Sequence, residues 1–263
     1  MTEATAAVAA DSAGSILRLR GVGRRFGGVQ AVRGVDLDVA HGERRAILGP
    51  NGAGKTTLFN LIAGDFLPTT GTIDLMGTDV TNLPARTRPR LGVARTYQKS
   101  RLFPGLTVED NLYLAIVGRD GGRLRPLRSP AREREQRERA RAAAERVWLT
   151  DSLDTRVGSL SHGQQRQLEV GMATATEPKL MMLDEPASGL SRGERERLTE
   201  LLLSLDPDVT LLLIEHDMDI ALRVAAYVTM MHDGQKIVEG TPDEIRGNQM
   251  VHDIYLGSRF TNE

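Results

Sequence analysis

The feature that most constrains the fold of this chain is a glycine-rich loop that contains one lysine and separates a short apolar segment from an amphipathic one. The loop consists of these residues: Gly49, Pro50, Asn51, Gly52, Ala53, Gly54, Lys55, Thr56 and Thr57. It matches the phosphate-binding pattern G-x-x-x-x-G-K-[ST] at every fixed position. Residues 45–48 predict a buried strand before the loop, and residues 57–63 predict a helix after it. This context favours a phosphate-binding loop over an ordinary glycine-rich turn.

The residue types of this loop suit a polyphosphate bound together with magnesium. Glycines let the backbone wrap closely around phosphate groups and point its N–H groups inward. The N-terminus of the following helix adds a partial positive charge at the same place. We therefore expect Lys55 to reach the β- and γ-phosphates and the Thr56 hydroxyl to ligate Mg2+.

The composition of the 263 residues argues against several other classes of function. The chain has no cysteine, which excludes disulfides and cysteine-based metal or nucleophile chemistry. The net charge of −1 gives no sign of a nucleic-acid partner. No apolar run approaches the ~20 residues that a membrane span needs. Residues 1–15 lack the pattern of a signal peptide, and we expect them to form a disordered tail.

Short apolar strands alternate with helices along much of the chain, which predicts an α/β fold with a parallel sheet covered on both faces. Residues 16–20 and 35–39 alternate as antiparallel strands do, and a turn is predicted over residues 21–28. A further strand is predicted over residues 91–98. A hairpin is predicted around residues 233–234, an Asp-Gly pair.

Two helices are predicted in the middle of the chain, over residues 108–117 with Thr107 as the N-cap and over residues 131–149. The second helix is dense in Arg and Glu. Because its acids are interleaved with its bases, the charged run favours a solvated helix face over a nucleic-acid patch.

An acidic pair follows the apolar segment of residues 180–183. Asp184 and Glu185 are expected at the carboxyl end of a buried parallel strand, where such sheets bind ligands. There Asp184 could hold Mg2+ and Glu185 could polarise the attacking water. The alternative is a helix-capping acidic pair, which the phosphate-binding loop makes the weaker interpretation.

A second helix N-terminus that could bind phosphate is predicted after Leu160. Ser161 could cap a helix predicted over residues 165–172, and Gly163 would permit a close approach of a ligand to the backbone. Taken alone, this segment favours an ordinary N-capped helix.

Together these segments resemble the ATP-binding subunit of an ABC transporter, over about residues 15–257. Five motifs match in order and spacing: Walker A at residues 49–56, the Q-loop at Gln98, the signature at residues 160–164, Walker B at residues 180–184 with Glu185 adjoining, and the switch histidine at His216. The resemblance implies a P-loop NTPase fold of the ABC ATPase type. That fold has a mixed central sheet, an N-terminal antiparallel β subdomain and an inserted α-helical subdomain.

The resemblance also implies the domain organisation. Residues 16–263 would form one ATP-binding domain. Within it, residues 16–98 and 176–263 would form the core with its antiparallel β subdomain, and residues 99–175 would form the helical subdomain that carries the signature.

The binding of ATP and Mg2+ follows from the same resemblance. A second ATPase subunit, identical or different, would pair head to tail with this one, and each ATP would lie between Walker A of one subunit and the signature of the other. Ser161, Gly163 and Gln164 would then contact the partner's nucleotide. Phe26 matches the aromatic residue that stacks on adenine, although a core Phe in a turn is the alternative. The implied catalytic residues are Glu185, His216 and Gln98, and the implied metal ligands are Thr56, Gln98 and Asp184.

Two positions depart from the family's pattern. His162 stands where the signature has its first glycine, but the serine and the second glycine are kept, so the resemblance still implies activity. Ser191 stands where the loop after Walker B usually ends in Asp. This loss of a charge at the dimer seam implies weaker or asymmetric coupling between the two ATP sites.

A finer resemblance is to importers of branched-chain amino acids and of related amides such as urea. It is carried by residues 92–98, 215–218 and 254–257. It implies transmembrane permease subunits as partners and a peripheral location at the cytoplasmic face of the cell membrane. We expect the segment after Gln98, residues 99–114, to contact a permease, with Arg101, Leu102 and Phe103 as candidates.

Two rival functions belong to other classes. A soluble ABC ATPase of DNA repair or translation usually carries two cassettes or a long coiled-coil insertion, and neither is present in this sequence. A non-hydrolysing regulatory cassette is disfavoured because Lys55, Asp184, Glu185 and His216 are all intact.

Overall fold

The computed structural model describes residues 14–97, 101–119 and 129–260, with side chains described up to Ile254. The strands of this part of the chain are β1 (Ser15–Phe26), β2 (Val29–Ala40), β3 (Arg44–Leu48), β4 (Thr70–Leu75), β5 (Thr78–Asp79), β6 (Val93–Arg95), β7 (Leu180–Asp184), β8 (Thr210–Ile214), β9 (Tyr227–His232) and β10 (Gln235–Gly240). The α-helices are α1 (Lys55–Ala63), α2 (Val108–Arg119), α3 (Pro130–Arg146), α4 (His162–Ala175), α5 (Arg192–Leu203), α6 (Met218–Val224), α7 (Pro242–Arg246) and α8 (Gln249–Phe260).

The strands form two sheets. The main sheet has the order β10-β9-β3-β8-β7-β6, in which β9, β3, β8, β7 and β6 are parallel and β10 is antiparallel to β9. The second sheet, β2-β1-β4-β5, is antiparallel throughout. The predicted α/β fold, with its mixed central sheet and antiparallel β part, is confirmed.

Both faces of the main sheet are buried, as expected for parallel strands. Alternate residues of β7 show this: Leu180 and Met182 face a core shared with α1 and the antiparallel sheet, whereas Met181 and Leu183 face a core shared with helices α2 to α6. Burying each such side chain contributes roughly 1.5–3 kcal/mol. A third core joins β3 and β9 to α6, α7 and α8. The sheet is therefore a rigid platform for the loops at its edges.

The turn predicted over residues 21–28 is wrong, because β1 continues to Phe26 and turns back only at residues 27–28. Its pairing with β2 shifts register between Leu19 and Val22 and again between Val22 and Arg24. Gly21, at φ 57, lies in the first of these irregularities. Glycine within a strand often marks a bulge rather than a turn, and the sequence pattern does not separate the two.

Two predicted elements are shorter in the structure. The strand predicted over residues 91–98 pairs only from Val93 to Arg95, because Gly92 adopts a left-handed conformation (φ 88) at the end of a 3-10 turn. The helix predicted over residues 131–149 ends at Arg146, since Trp148 has a left-handed φ of 58.

Three predicted features lie partly or wholly outside the described residues. Gln98 lies outside them, as do residues 99–100 of the predicted permease contact. Of the tail predicted over residues 1–15, only Gly14 and Ser15 are described, and Ser15 already begins β1. No helix among the described residues has the length and apolar character that crossing a membrane requires.

Candidate functional site

The phosphate-binding loop, the acidic pair and His216 converge on one edge of the main sheet. The neighbouring strands β3, β8 and β7 end side by side, at Leu48, Ile214 and Asp184. The phosphate-binding loop leaves β3, the acidic pair lies at the end of β7, and His216 follows β8. This is the carboxyl edge, where open α/β sheets bind ligands.

The phosphate-binding loop is shaped by close backbone contacts at two glycines. A Cβ atom at Gly49 (φ 151) would lie 2.2 Å from the Met231 carbonyl oxygen, and one at Gly54 (φ 93) would lie 2.4 Å from the Ala31 carbonyl oxygen. Any side chain at either position would clash with backbone, and the left-handed conformation of Gly54 adds strain. The loop is thereby held between β9 and β2.

Lys55 is the first residue of α1 and is only 6% exposed. Its Nζ donates hydrogen bonds to the carbonyl oxygens of Gly49 (2.7 Å) and Pro50 (3.0 Å), so the ammonium group lies inside the curve of the loop. Burial lowers the pKa of Lys55, and the nearby carboxylates of Glu185 and Asp184 oppose that shift. The loop thus presents a cation where a phosphate is expected.

Asp184 is buried at the end of β7, with 2% of its surface exposed. Burial raises its pKa, and the Arg95 guanidinium, with Nη2 3.3 Å from Oδ2 of Asp184, opposes that effect. Arg95 also pairs with Asp65 at 2.8 Å. Arg95 was missed as a site residue, although it lies within the segment of residues 92–98 that carried the finer resemblance.

Glu185 and His216 are brought together across the ends of β7 and β8. The Nδ1 atom of His216 lies 3.9 Å from Oε2 of Glu185. Glu185 has an unusual left-handed backbone (φ 47), and its N–H donates to the Ile214 carbonyl oxygen at 2.9 Å. The His216 side chain is 54% exposed and therefore accessible to a ligand at this edge.

Glu215 is a second residue that sequence reasoning missed. Its side chain is fully buried, and its carboxylate accepts hydrogen bonds from the N–H groups of Ala187 (3.0 Å) and His216 (3.2 Å). Burial raises its pKa, while these N–H groups favour the charged form. The signal was an acid directly after an apolar strand, the same pattern that identified Asp184.

The signature segment begins helix α4 with a capping box. The Ser161 hydroxyl accepts from the Gln164 N–H at 3.2 Å, and the Gln164 side chain accepts from the Ser161 N–H at 3.0 Å. The Gly163 N–H donates to Oε1 of Glu194 on α5 at 2.9 Å. The predicted cap is confirmed, and the helix starts earlier than predicted, at His162.

The signature does not join the phosphate-binding loop within this chain. Among the described residues, the hydrogen bonds of Ser161, Gly163 and Gln164 run within α4 and its cap or to α5. Oε2 of the same Glu194 accepts from the Ser191 N–H (3.0 Å) and hydroxyl (2.7 Å) at the start of α5.

Phe26 ends β1 beside the phosphate-binding loop, because its hairpin partner strand β2 also carries Ala31, which touches the loop. Its ring is 40% exposed and packs edge to face against Phe66, with centroids 5.3 Å apart. The Arg24 guanidinium lies 4.6 Å above the Phe26 ring. A partly exposed ring in this place suits stacking on a flat base.

The residues present fit ATP with Mg2+. The glycine-shaped loop, the Lys55 ammonium and the N-terminus of α1 match a polyphosphate. No cluster of three or more His, Cys, Asp or Glu side chains among the described residues could hold a metal alone. The carboxylate of Asp184 and the exposed hydroxyl of Thr56 offer the hard oxygen donors that Mg2+ uses when phosphates and water complete its shell.

A groove of about 400 Å³ lies next to this edge, between β6 and helices α2 and α4. Arg101 and Leu102 contribute to its lining, and the neighbouring Phe103 is 50% exposed. Tyr97 lies between two guanidinium groups, those of Arg95 and Arg101, at 4.9 and 3.4 Å from its ring centroid. These contacts link the groove to the ion pair of Arg95 with Asp184.

Comparison with known proteins agrees with this geometry. A protein-family model described as ABC transporter matches residues 32–188. The branched-chain amino acid transport ATP-binding protein BraF of Pseudomonas aeruginosa is 40% identical over 256 residues, covering 92% of this chain and 98% of BraF. LivG of Escherichia coli K12, whose name states the same transport role, is 38% identical over 249 residues, with 92% and 98% covered. A solved ATP-binding cassette of an ABC transporter, in its ADP conformation, superposes with a TM-score of 0.79 at 30% identity, covering 92% of this chain and 99% of the cassette.

Proposed function

This chain belongs to the ABC transporter family of ATP-binding subunits and is an ATPase, and we propose that it powers an importer of branched-chain amino acids. The observation that carries the proposal is the convergence of Lys55, Asp184, Glu185 and His216 at one sheet edge, in a chain that matches BraF and LivG almost end to end. A urea or amide importer is the alternative, because the ATPase does not touch the cargo.

Each proposed site residue has a defined task. Lys55 and the N–H groups at the start of α1 bind the β- and γ-phosphates of ATP, and Phe26 stacks on adenine. Asp184 and Thr56 would hold Mg2+, together with Gln98, which lies outside the described residues. When bound, Mg2+ spreads the negative charge that develops on the transferred phosphoryl group. The remaining loop residues, Gly49 to Gly54 and Thr57, shape the backbone cradle.

Glu185 orients the attacking water and accepts its proton, because it is the acidic residue next to Asp184 that is left without a metal-binding task. His216 donates to the γ-phosphate, and its Nδ1 lies next to Glu185, 3.9 Å from Oε2 of that residue. Neither non-hydrolysing regulation nor simple nucleotide binding needs this pair of residues.

The signature acts on a second ATPase subunit. Ser161, Gly163 and Gln164 present a capped helix N-terminus whose hydrogen bonds, among the described residues, stay within α4 and its cap or run to α5 and do not reach the phosphate-binding loop of the same chain. A head-to-tail dimer supplies that loop from the partner. In this arrangement residues 99–175 move as a helical subdomain against the core formed by residues 16–98 and 176–263.

The groove beside Tyr97 receives a helix of a membrane permease, which places the chain at the cytoplasmic face of the membrane. An apolar pair, Leu102 and Phe103, next to basic Arg101 suits a small hydrophobic docking surface.

Uptake of radiolabelled leucine tests the substrate. Cells that lack this chain are expected to lose high-affinity leucine uptake and to regain it with the wild-type chain but not with Glu185→Gln. Labelled urea is measured in parallel. Restored urea uptake with unaffected leucine uptake would contradict the proposed substrate and favour the amide importer.

Crosslinking tests the permease contact. Because the chain has no cysteine, Phe103→Cys provides a single reactive thiol, and we expect it to crosslink to a permease in the assembled transporter. Met250→Cys, equally exposed on α8, is the matched control. Crosslinks from the control alone would exclude the groove as the docking surface.

A further inference from the structure

We propose that Glu215 is a positioning residue for ATP hydrolysis, whose carboxylate fixes the loop carrying Glu185 against the loop carrying His216. This inference rests on the proposed roles of those two residues. The side chain of Glu215 is fully buried, so its role would be exercised through its neighbours.

One carboxylate holds both loops. Oε1 of Glu215 accepts from the N–H of Ala187, two residues after Glu185, at 3.0 Å. Oε2 accepts from the N–H of His216 at 3.2 Å. The bond to Ala187 joins the two loops, and the bond to His216, the next residue, orients the carboxylate within its own loop. An isosteric amide has one acceptor oxygen and could not keep both bonds.

The burial of Glu215 is costly for a group with a purely structural task. Among the described residues its single ion-pair partner is His216, at 3.9 Å, and the side chain of His216 is half exposed. A buried carboxylate without a close cation pays a desolvation penalty that a neutral side chain would avoid. Such a group is retained where its charge or its two acceptor oxygens are needed.

The backbone of Glu185 provides an independent observation. Its left-handed φ of 47 is strained for a non-glycine residue, and such strain persists only where surrounding contacts enforce it. On one side the Glu185 N–H bonds the Ile214 carbonyl oxygen at 2.9 Å. On the other side the Ala187 N–H bonds Glu215. The end of β8 thus clamps Glu185 from both directions.

The imidazole of His216 lies between two acids. Its Nδ1 is 3.9 Å from Oε2 of Glu185 and 3.9 Å from Oε2 of Glu215. Glu215 therefore holds the His216 backbone and also faces its ring. Both proposed catalytic side chains take their relative positions from this carboxylate.

Glu215→Gln tests the inference in the transporter purified through an affinity tag on the full-length chain. One of the two loops loses its acceptor and meets an amide NH2 instead. We expect kcat for ATP to fall about 10- to 100-fold, as on removing groups that orient reacting side chains. Nucleotide affinity should stay within about twofold of wild type, because no phosphate contact changes.

Glu239→Gln is the control variant, since Glu239 on β10 is a carboxylate with a 33% exposed side chain that forms an ion pair with Arg45 of β3 at 3.1 Å. It should lower thermal stability without lowering kcat. A Glu215→Gln transporter with kcat within about twofold of wild type, or with nucleotide affinity lost in parallel with kcat, would overturn the inference. The proposed function fails separately, if Glu185→Gln itself hydrolyses ATP normally.

Amide hydrogen exchange of the wild-type chain gives a second measurement that does not depend on the folding of a variant. The N–H groups of Ala187 and His216 should exchange more slowly than the N–H of Gly189, an exposed residue of the loop after β7. Equally fast exchange at all three positions would show that Glu215 does not hold the two loops.

Discussion

At the scale of single residues, the charges of the site are balanced mainly against one another rather than by water. Lys55 is buried among the carboxylates of Asp184 and Glu185, and burial alone would shift the pKa of Lys55 and of Asp184 in the direction that removes their charges. The two carboxylates offset part of the desolvation cost of Lys55, and Lys55 and Arg95 offset part of that of Asp184, whereas Glu185 raises the pKa of Asp184 further. Replacing one of them therefore disturbs the whole group.

Lys55→Ala is expected to abolish tight Mg-ATP binding and ATP hydrolysis. It removes the main cation facing the β- and γ-phosphates and leaves Asp184 and Glu185 to repel them. Binding is measured with a fluorescent ATP analogue, and turnover by phosphate release. Lys236→Ala, which removes a surface lysine paired with Glu239, should change neither. Near-normal turnover of Lys55→Ala would defeat the assignment of the phosphate-binding loop.

At the scale of helices and strands, three helices of the described chain begin with a capping box. These are α4 at Ser161, α5 at Ser191 and α7 at Thr241. The capping Glu194 of α5 also accepts from the Gly163 N–H of α4, so the signature and the loop after β7 share one carboxylate. The hydrogen bonds from Ser191, and to a smaller extent the one from the Gly163 N–H, lower the pKa of Glu194.

Variants of two similar helix caps distinguish an effect on stability from an effect on ATPase activity. Ser161→Ala and Thr241→Ala each remove one N-cap hydroxyl, which costs ~0.5–2 kcal/mol of stability. Both should lower the free energy of unfolding in urea by similar amounts. Only Ser161→Ala should also lower ATPase activity, since Ser161 is proposed to contact the partner's nucleotide. Equal ATPase activity in the two variants would leave Ser161 with a structural role alone.

Element types were predictable from local pattern, whereas several boundaries were not. The buried strands β3, β7 and β8 were evident because both of their faces are apolar. The extent of β1 was missed because Gly21 and Gly23 indicate a turn and a bulged strand equally well. The pairing of β1 with β2 and β4 decides between the turn and the bulged strand, and the local sequence does not specify that pairing.

At the scale of the whole molecule, the parallel sheet assembles the site by ending three strands at one edge. The resemblance to ABC ATPases sufficed to predict that Lys55, Asp184 and His216 share one site. The ion pair of Arg95 with Asp184 and the bonds of Glu215 to two loops depend on strand order and on side-chain direction. Neither property can be derived from a single sequence without its fold.

The proposed head-to-tail dimer makes hydrolysis depend on two cassettes. Among the described residues the signature at the start of α4 bonds only its own cap and α5, and in the proposed dimer it contacts a phosphate bound by the other subunit. In that arrangement bound ATP with its γ-phosphate intact would hold the two cassettes together. A cassette that binds ATP but cannot cleave it should therefore remain paired.

Glu185→Gln is expected to produce that state. It keeps the shape of the side chain but removes the base, which typically costs ~10²–10⁴-fold in rate. ATP binding should survive and can tighten, because a negative charge near the γ-phosphate is removed. Light scattering after size exclusion should then show a shift from monomer to dimer on adding Mg-ATP, with this chain alone or with its partner ATPase. Adding Lys55→Ala to the same variant should abolish the shift, since the dimer depends on bound ATP. A Glu185→Gln chain that hydrolyses ATP at the wild-type rate, or that no longer binds ATP, would show that Glu185 is not the base.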